Sequence, residues 1–257
     1  MRRGLRFGWR ALALIVWLLL GLFILSLLFP LWTQTRRQAV HAWWSGRLLY
    51  WCGIHVDYFG QPELHKPVLF VMNHVSWLDI FVVNQKRATS FIAKSDIRSW
   101  PVVGWLVTGA GTVYIERGQR HAIKRVAEQM QQRFKQQQAV GLFPEGTTSD
   151  GFTVRPFHAS LFETALRTEV DIQPVALRFF DDTERSARVA FIGEQSLLCN
   201  IWLLLSQPKV RIECVFLPPL PHAHNQTQGR AATAQQAYDL LLAQVEKGLN
   251  APSRFST

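Results

Sequence analysis

PVLFVMNHVSWLDIF, residues 67–81, decides the fold. PVLFVMN (67–73) is a short, unbroken apolar run that ends at a polar turn, the pattern of a buried strand. SWLDIFVVNQ (76–85) follows with the pattern of a helix. A buried strand that runs straight into a helix is the repeating unit of α/β architecture.

Reading outward, the alternation continues. ATSFIAK (88–94) and GTVYIE (111–116) read as strands. HAIKRVAEQMQQRFKQQ (121–137) is an amphipathic helix with Ile123, Val126, Met130 and Phe134 on one face. AVGLFPEG (139–146) is a strand closing in a turn, SLFETALRT (160–168) a helix, and VDIQPVALRFF (170–180) a strand interrupted at Pro174. VAFIG (189–193) and KVRIECVF (209–216) complete the strands. A Pro-rich loop, LPPLPHAHNQTQG (217–229), leads to a terminal helix over 230–249. The pattern predicts one α/β domain over residues 57–257, built around a substantial sheet.

Residues 1–56 have a different character. ALALIVWLLLGLFILSLLFPLW (11–32) holds 22 residues without a charge, enough for a helix to cross the hydrocarbon core of a bilayer. FPLWTQT offers no small-x-small cleavage site, and the run exceeds a signal-peptide core, so an uncleaved anchor is expected. AVHAWWSGRLLYWCGI (39–54) mixes Trp43, Trp44, Tyr50 and Trp51 with Arg47. That mixture suits an interfacial amphipathic helix, and equally a helix that covers the soluble domain.

The chain has 257 residues and a formal charge of +10, which by itself would suggest a polynucleotide partner. Position argues otherwise. The first 56 residues hold seven arginines and no acid, a charge of +7, leaving +3 for the rest. Basic residues bracketing an apolar run point to anionic membrane and not to nucleic acid, for which no recognition motif is present. Three widely spaced cysteines give neither a disulfide framework nor a zinc pattern. His222 and His224 lie in the Pro-rich loop with no acid close in sequence, so no metal site is expected.

Three polar clusters close apolar strands, where ligands commonly sit. In NHVSWLD (73–79), His74 and Asp79 would stand about 140° apart on a continuous helix, and they meet only if His74 lies in the turn before it. A carboxylate on one ring nitrogen would fix the tautomer and leave the other nitrogen to accept a proton. A histidine capping the helix is the plainer alternative. In YIERG (114–118), Arg117 could grip an anionic group or simply pair with Glu116. In FPEGTTSDG (143–151), Pro144 and Gly146 bracket Glu145 in a turn.

Taken in order, NHVSWLD, GTVYIERG, LFPEGTTSDG and IQPVAL (172–177) resemble the four sequence blocks of the glycerolipid acyltransferase family, over roughly residues 66–180. Among its members, the bacterial 1-acyl-glycerol-3-phosphate acyltransferases are most similar, and lyso-ornithine lipid acyltransferases share much of the wording. The resemblance implies a mixed sheet flanked by helices, with an N-terminal membrane helix or helical hairpin. It implies His74 as general base and Asp79 as its orienter, with Arg117, Glu145, Gly146 and Thr147 binding the acceptor and Pro174 shaping the site. The acceptor would be a lysophospholipid and the donor acyl-CoA or acyl carrier protein, with no further cofactor. Such donors are cytosolic, which places the catalytic domain on the cytoplasmic face of a bacterial inner membrane. A hairpin of 11–32 and 39–54, keeping both arginine groups on one side, is the expected topology. A non-catalytic membrane-tethered lipid-binding protein is the alternative, and it would not need His74 paired with Asp79.

Overall fold

A computed structural model describes residues 2–116 and 120–249. Its centre is a sheet of strands β1 (Ile54–Phe59), β2 (Val68–Met72), β3 (Thr89–Lys94), β4 (Val113–Ile115), β5 (Ala139–Leu142), β6 (Asp171–Asp181), β7 (Glu184–Arg185) and β8 (Val210–Phe216). The strand order is β1-β8-β6-β2-β5-β3-β4, with β7 paired to β6. Pairing is parallel except for β6 with β8 and β6 with β7. This is the expected mixed sheet.

Helices cover both faces. On one lie α1 (Arg2–Phe23), α2 (Gln34–Cys52), α3 (Asp79–Asn84) and α7 (Leu197–Ser206), and on the other α5 (Arg120–Lys135), α6 (Phe162–Arg167) and α8 (His222–Val245). The short α4 (Val103–Gly109) sits against α1 near the elbow that follows it. β2 explains its own composition. Val68, Phe70 and Met72 pack into the α1/α2 side and Leu69 and Val71 into the α5 side, so a strand buried on both faces has no polar alternation.

Four readings of the sequence need correction. Pro174 does not interrupt its strand, because β6 runs from Asp171 to Asp181 through it. Regular pairing with β8 begins only at Val175, so no ladder bond is asked of the Pro174 nitrogen. The Leu217 carbonyl takes the Gln173 side-chain amide instead, and the Leu217 N–H donates to the Pro174 carbonyl. VAFIG (189–193) is not a strand, since its backbone bonds to Val75 and Thr148 and to the Asn200 side chain. The segment 217–229 is not all loop. Helix α8 starts at His222, after Pro221, and kinks at Gly229, where φ is 79°. There His222 does meet an acid, its backbone N–H donating to Asp171 Oδ1 at 2.8 Å. Finally, Ile123 stays exposed at the start of α5 while Ala122, Val126, Met130 and Phe134 turn inward.

The N-terminal segment forms a helical hairpin against the domain. After α1 the chain passes through a π-helical stretch (Ile24–Leu28) and a 3₁₀ turn (Phe29–Leu31, with Pro30), then Thr33 caps α2. The helices meet at Trp17, whose indole N–H donates to the Trp44 carbonyl at 3.2 Å. Arg6 and Arg10 fasten α1 to the end of α7. Arg6 donates to the Ser206 carbonyl at 2.9 Å and Arg10 to that of Gln207 at 2.6 Å, satisfying carbonyls the helix leaves open. On α2, Trp44, Leu48, Leu49 and Cys52 are buried against the core, while Trp43, Arg47 and Tyr50 face outward. Arg3–Leu31 is long and apolar enough to cross a membrane by length and composition. Its outward stripe, Leu5, Trp9, Leu12, Val16, Leu19, Phe23 and Leu27, recurs every three or four residues and is exposed.

Candidate active site

The site lies at the carboxyl ends of the neighbouring parallel strands β2 and β5, the usual ligand edge of an α/β sheet. β2 ends at Met72, and Asn73 then extends its hold on β6 through its side chain. Asn73 Nδ2 donates to the Leu177 carbonyl at 2.9 Å and its Oδ1 accepts the Leu177 N–H at 2.8 Å. With the chain pinned there, residues 74–78 turn sharply and α3 begins at Asp79.

That turn brings His74 and Asp79 together. His74 Nδ1 lies 2.7 Å from Asp79 Oδ2, and the same oxygen accepts the N–H groups of Val75 at 2.7 Å and Ser76 at 3.0 Å. Asp79 is fully buried, whereas the His74 side chain keeps 23% of its surface accessible. Its ring stacks on Phe143 with centroids 3.9 Å apart, and Phe143 stacks on Phe91 at 5.5 Å. Nδ1 is therefore committed to the carboxylate and the plane of the ring is set. Nε2 has no partner among the described residues, and His74 lines a cavity. This is the geometry of an oriented general base.

Glu145 holds the pair from behind. Its Oε1 accepts the His74 backbone N–H at 2.7 Å and its Oε2 the Arg155 N–H at 2.9 Å. Burial pushes the carboxyl up to about 6, against the pull of those two N–H bonds and of the nearby His74. The turn that carries it closes with the Gly146 N–H on the Phe143 carbonyl at 3.0 Å, Gly146 taking φ 70°. Ser149 completes the clamp, its N–H donating to the His74 carbonyl at 2.7 Å.

The other expected residues fall into three groups. Gly146 and Thr147 line the cavity beside His74. Pro174 is buried within the sheet, paired with Val71, and is not part of the cavity wall. Arg117 lies outside the described residues, although β4, which leads to it, runs parallel to β3 and ends at the same edge. Residue patterns alone did not single out Asn73, Phe143 or Ser149. The first lies inside NHVSWLD and the others inside FPEGTTSDG, so position beside the named residues was the available signal.

The cavity holds about 510 Å³ and is walled mainly by apolar side chains. From His74 it runs between α3 and the hairpin, past Trp44, Phe81, Phe91, Leu106 and Leu25. Phe191, from the segment 189–193, also lines it, and Thr148 Oγ1 donates to the Phe191 carbonyl. A polar reacting edge opening onto a long apolar chamber suits a substrate with a polar reactive end and a hydrocarbon tail.

Comparison with known proteins agrees. The family described as Acyltransferase matches residues 55–178. A lyso-ornithine lipid O-acyltransferase of Pseudomonas aeruginosa is 34% identical over 238 residues, covering 87% of this chain and 90% of that protein. A 1-acyl-sn-glycerol-3-phosphate acyltransferase of Neisseria gonorrhoeae is 37% identical over 188 residues, 72% of each. In fold, the crystal structure of the 1-acyl-sn-glycerophosphate (LPA) acyltransferase from Thermotoga maritima matches over 100% of both chains with a TM-score of 0.73 at 20% identity. With its His74–Asp79 pair and apolar chamber at the sheet edge, this chain belongs to the lysolipid acyltransferase family and is an acyltransferase.

Proposed function

We propose that the enzyme moves a fatty acyl group from acyl-CoA or acyl carrier protein to the sn-2 hydroxyl of 1-acyl-glycerol-3-phosphate, giving phosphatidic acid. The observation that carries this reading is the paired His74, whose Nε2 opens on the apolar cavity. The acceptor hydroxyl gives its proton to Nε2 as its oxygen attacks the thioester carbonyl, and Asp79 stabilises the imidazolium that forms. The tetrahedral intermediate then collapses, the C–S bond breaks, and the imidazolium returns the proton to the leaving thiolate. No acyl-enzyme forms and no cofactor is required beyond the donor. Arg117 and Thr147 would meet the acceptor head group.

The protein works on the membrane surface in this reading. The exposed stripe of α1 sits in the acyl layer while Arg36, Arg37 and Arg47 meet anionic head groups from the cytoplasmic side. Because Arg36 and Arg37 stand in the first turn of α2, directly after the elbow, a hairpin lying along the surface suits the charges better than one inserted tip-first. Protease protection of tags at both ends tests this, and ends on opposite sides of the membrane would defeat the hairpin.

A second reading of the acceptor rests on one observation. The Pseudomonas lyso-ornithine relative covers 87% of the chain against 72% for the Neisseria relative. The same dyad would serve that acceptor. Purified enzyme given labelled donor and a panel of lysolipids decides between them. Lysophosphatidate is the expected substrate, and acylation of lyso-ornithine lipid alone would overturn that choice.

A further inference from the structure

A second concavity lies outside the reaction chamber, between the α1–α2 elbow and α4. It holds about 580 Å³, opens broadly to the surface, and shares Leu25 and Phe29 with the chamber wall. Its charged walls are Arg37, from the first turns of α2, and Arg98, from the 3₁₀ turn Ser95–Ser99 before α4. Among the described residues the Arg37 guanidinium bonds only through its Nε, which donates to the Phe29 carbonyl at 2.8 Å. The Arg98 guanidinium makes no hydrogen bond or ion pair among the described residues and rests 6.0 Å from the Tyr114 ring centroid. No carboxylate lines the groove among the described residues.

We propose that this groove binds the phosphate head group of an anionic bilayer phospholipid between Arg37 and Arg98, a site distinct from that of the reacting lipid. Two guanidiniums with unspent N–H groups offer forked donors suited to a phosphodiester. The rim supplies what the rest of such a lipid needs. Trp105 is 72% exposed on the groove wall, and Leu27 and Leu31, next in sequence to the lining residues Ser26 and Pro30 but not themselves in the lining, are 56% and 79% exposed. Indole and leucine beside paired cations match the head-group boundary of a bilayer. The π-helical stretch and the 3₁₀ turn with Pro30 supply the groove's elbow wall through Leu25, Ser26, Phe29 and Pro30, before the chain leaves helical geometry at Trp32. This inference rests on the membrane-surface reading of α1.

The test measures binding of the purified full-length protein to phosphatidylcholine vesicles with and without phosphatidylglycerol. Three variants are compared with the wild type: Arg37→Gln/Arg98→Gln, Arg98→Gln alone, and the control Arg36→Gln/Arg47→Gln, which removes the same charge outside the groove. Diffuse attraction costs both double variants equally, roughly 5-fold per arginine. The expected result is at least about a tenfold greater loss of phosphatidylglycerol-dependent binding in the groove pair than in the control pair. Arg98→Gln, which breaks no hydrogen bond among the described residues, shows part of that excess, with thermal unfolding unchanged. Equal losses in the two double variants overturn the site and leave the membrane reading intact. Failure of the wild type to bind either vesicle overturns the membrane reading and the site with it.

Discussion

Glu145 carries His74 by the backbone: its Oε1 accepts the His74 N–H at 2.7 Å while its Oε2 accepts the Arg155 N–H at 2.9 Å, so the carboxylate braces the turn that carries the proposed base. Glutamine can accept only one of those two N–H groups, because its amide nitrogen is a donor. Glu145→Gln should therefore lower kcat by about 10²-fold through misplacement of the ring, with KM for the donor changed far less. Steady-state kinetics on the purified variant measures the split. An equal rise in KM with kcat preserved would mean that Glu145 contacts substrate.

The same carboxyl makes a prediction about pH. Its folded value of about 6 lies above the ordinary carboxylate value of 4.5, so the folded state binds more protons than the unfolded state between the two. This group's contribution to stability therefore falls as pH rises through that window, by about 2 kcal/mol in all. Denaturant titrations in detergent, run below and above the window, should show the decline in the wild type. Glu145→Gln should lack that component of the slope.

Removal of the base should be severe. His74→Ala is expected to cost about 10²–10⁴ in rate, since proton transfer to a positioned base contributes about that much. Asp79→Asn keeps an oxygen for the backbone N–H groups of Val75 and Ser76 but removes the charge that stabilises the imidazolium, and should cost about 10³–10⁴ in kcat. Acyl transfer from labelled donor is the readout, with circular dichroism to verify the fold. Activity within a fewfold of wild type in either variant would refute the dyad.

The ring stack behind His74 gives a test at a distance. A Cβ on Gly141, in β5, would come within 2.4 Å of the Phe91 ring, and Phe91 backs Phe143, which backs His74. Gly141→Ala should destabilise the protein by about 1–3 kcal/mol through overpacking and also reduce kcat. Thermal unfolding with kinetics checks both effects, and a variant with normal stability and rate would show that the stack is adaptable.

Arg10 makes the last prediction. Its guanidinium serves three carbonyls at and after the end of α7: Leu205 at 3.3 Å, Gln207 at 2.6 Å and Pro208 at 3.3 Å. Arg10→Ala should cost about 1.5–3 kcal/mol of stability and raise hydrogen exchange in α1 and in the last turn of α7. Exchange limited to α1 alone would mean that α7 finds its cap elsewhere.

How legible all this was depends on how far apart in sequence the causes lie. PVLFVMN announced a strand covered on both faces, because its residues alone determine that it has no side for water. The His74–Asp79 pair was legible for a similar reason, as five residues and one bend contain the whole geometry. Glu145 was located but its work was hidden, since its first partner is the backbone of His74, 71 residues earlier. Pro174 looked like a strand breaker until the register with β8 was known, because the cost of a missing N–H depends on what lies opposite. VAFIG has a strand's composition, yet Val75, Thr148 and Asn200 take its backbone groups before any neighbouring strand does. The switch of α1 into a π-helical stretch had no sequence signal beyond Pro30, and the groove lined by that stretch was invisible in consequence.

Arg6 and Arg10 also determine what the enzyme can reach. By bolting α1 to the end of α7 they tie the helix with the exposed apolar stripe to the body that carries His74. On the membrane-surface reading proposed above, with α1 seated in the bilayer, the imidazole would stand at one fixed height relative to the head groups. Selection among acceptors then begins before any head group is recognised. On that reading only a lysolipid whose hydroxyl floats at that height would meet the proposed base, and the hairpin would work as a depth gauge for the reaction.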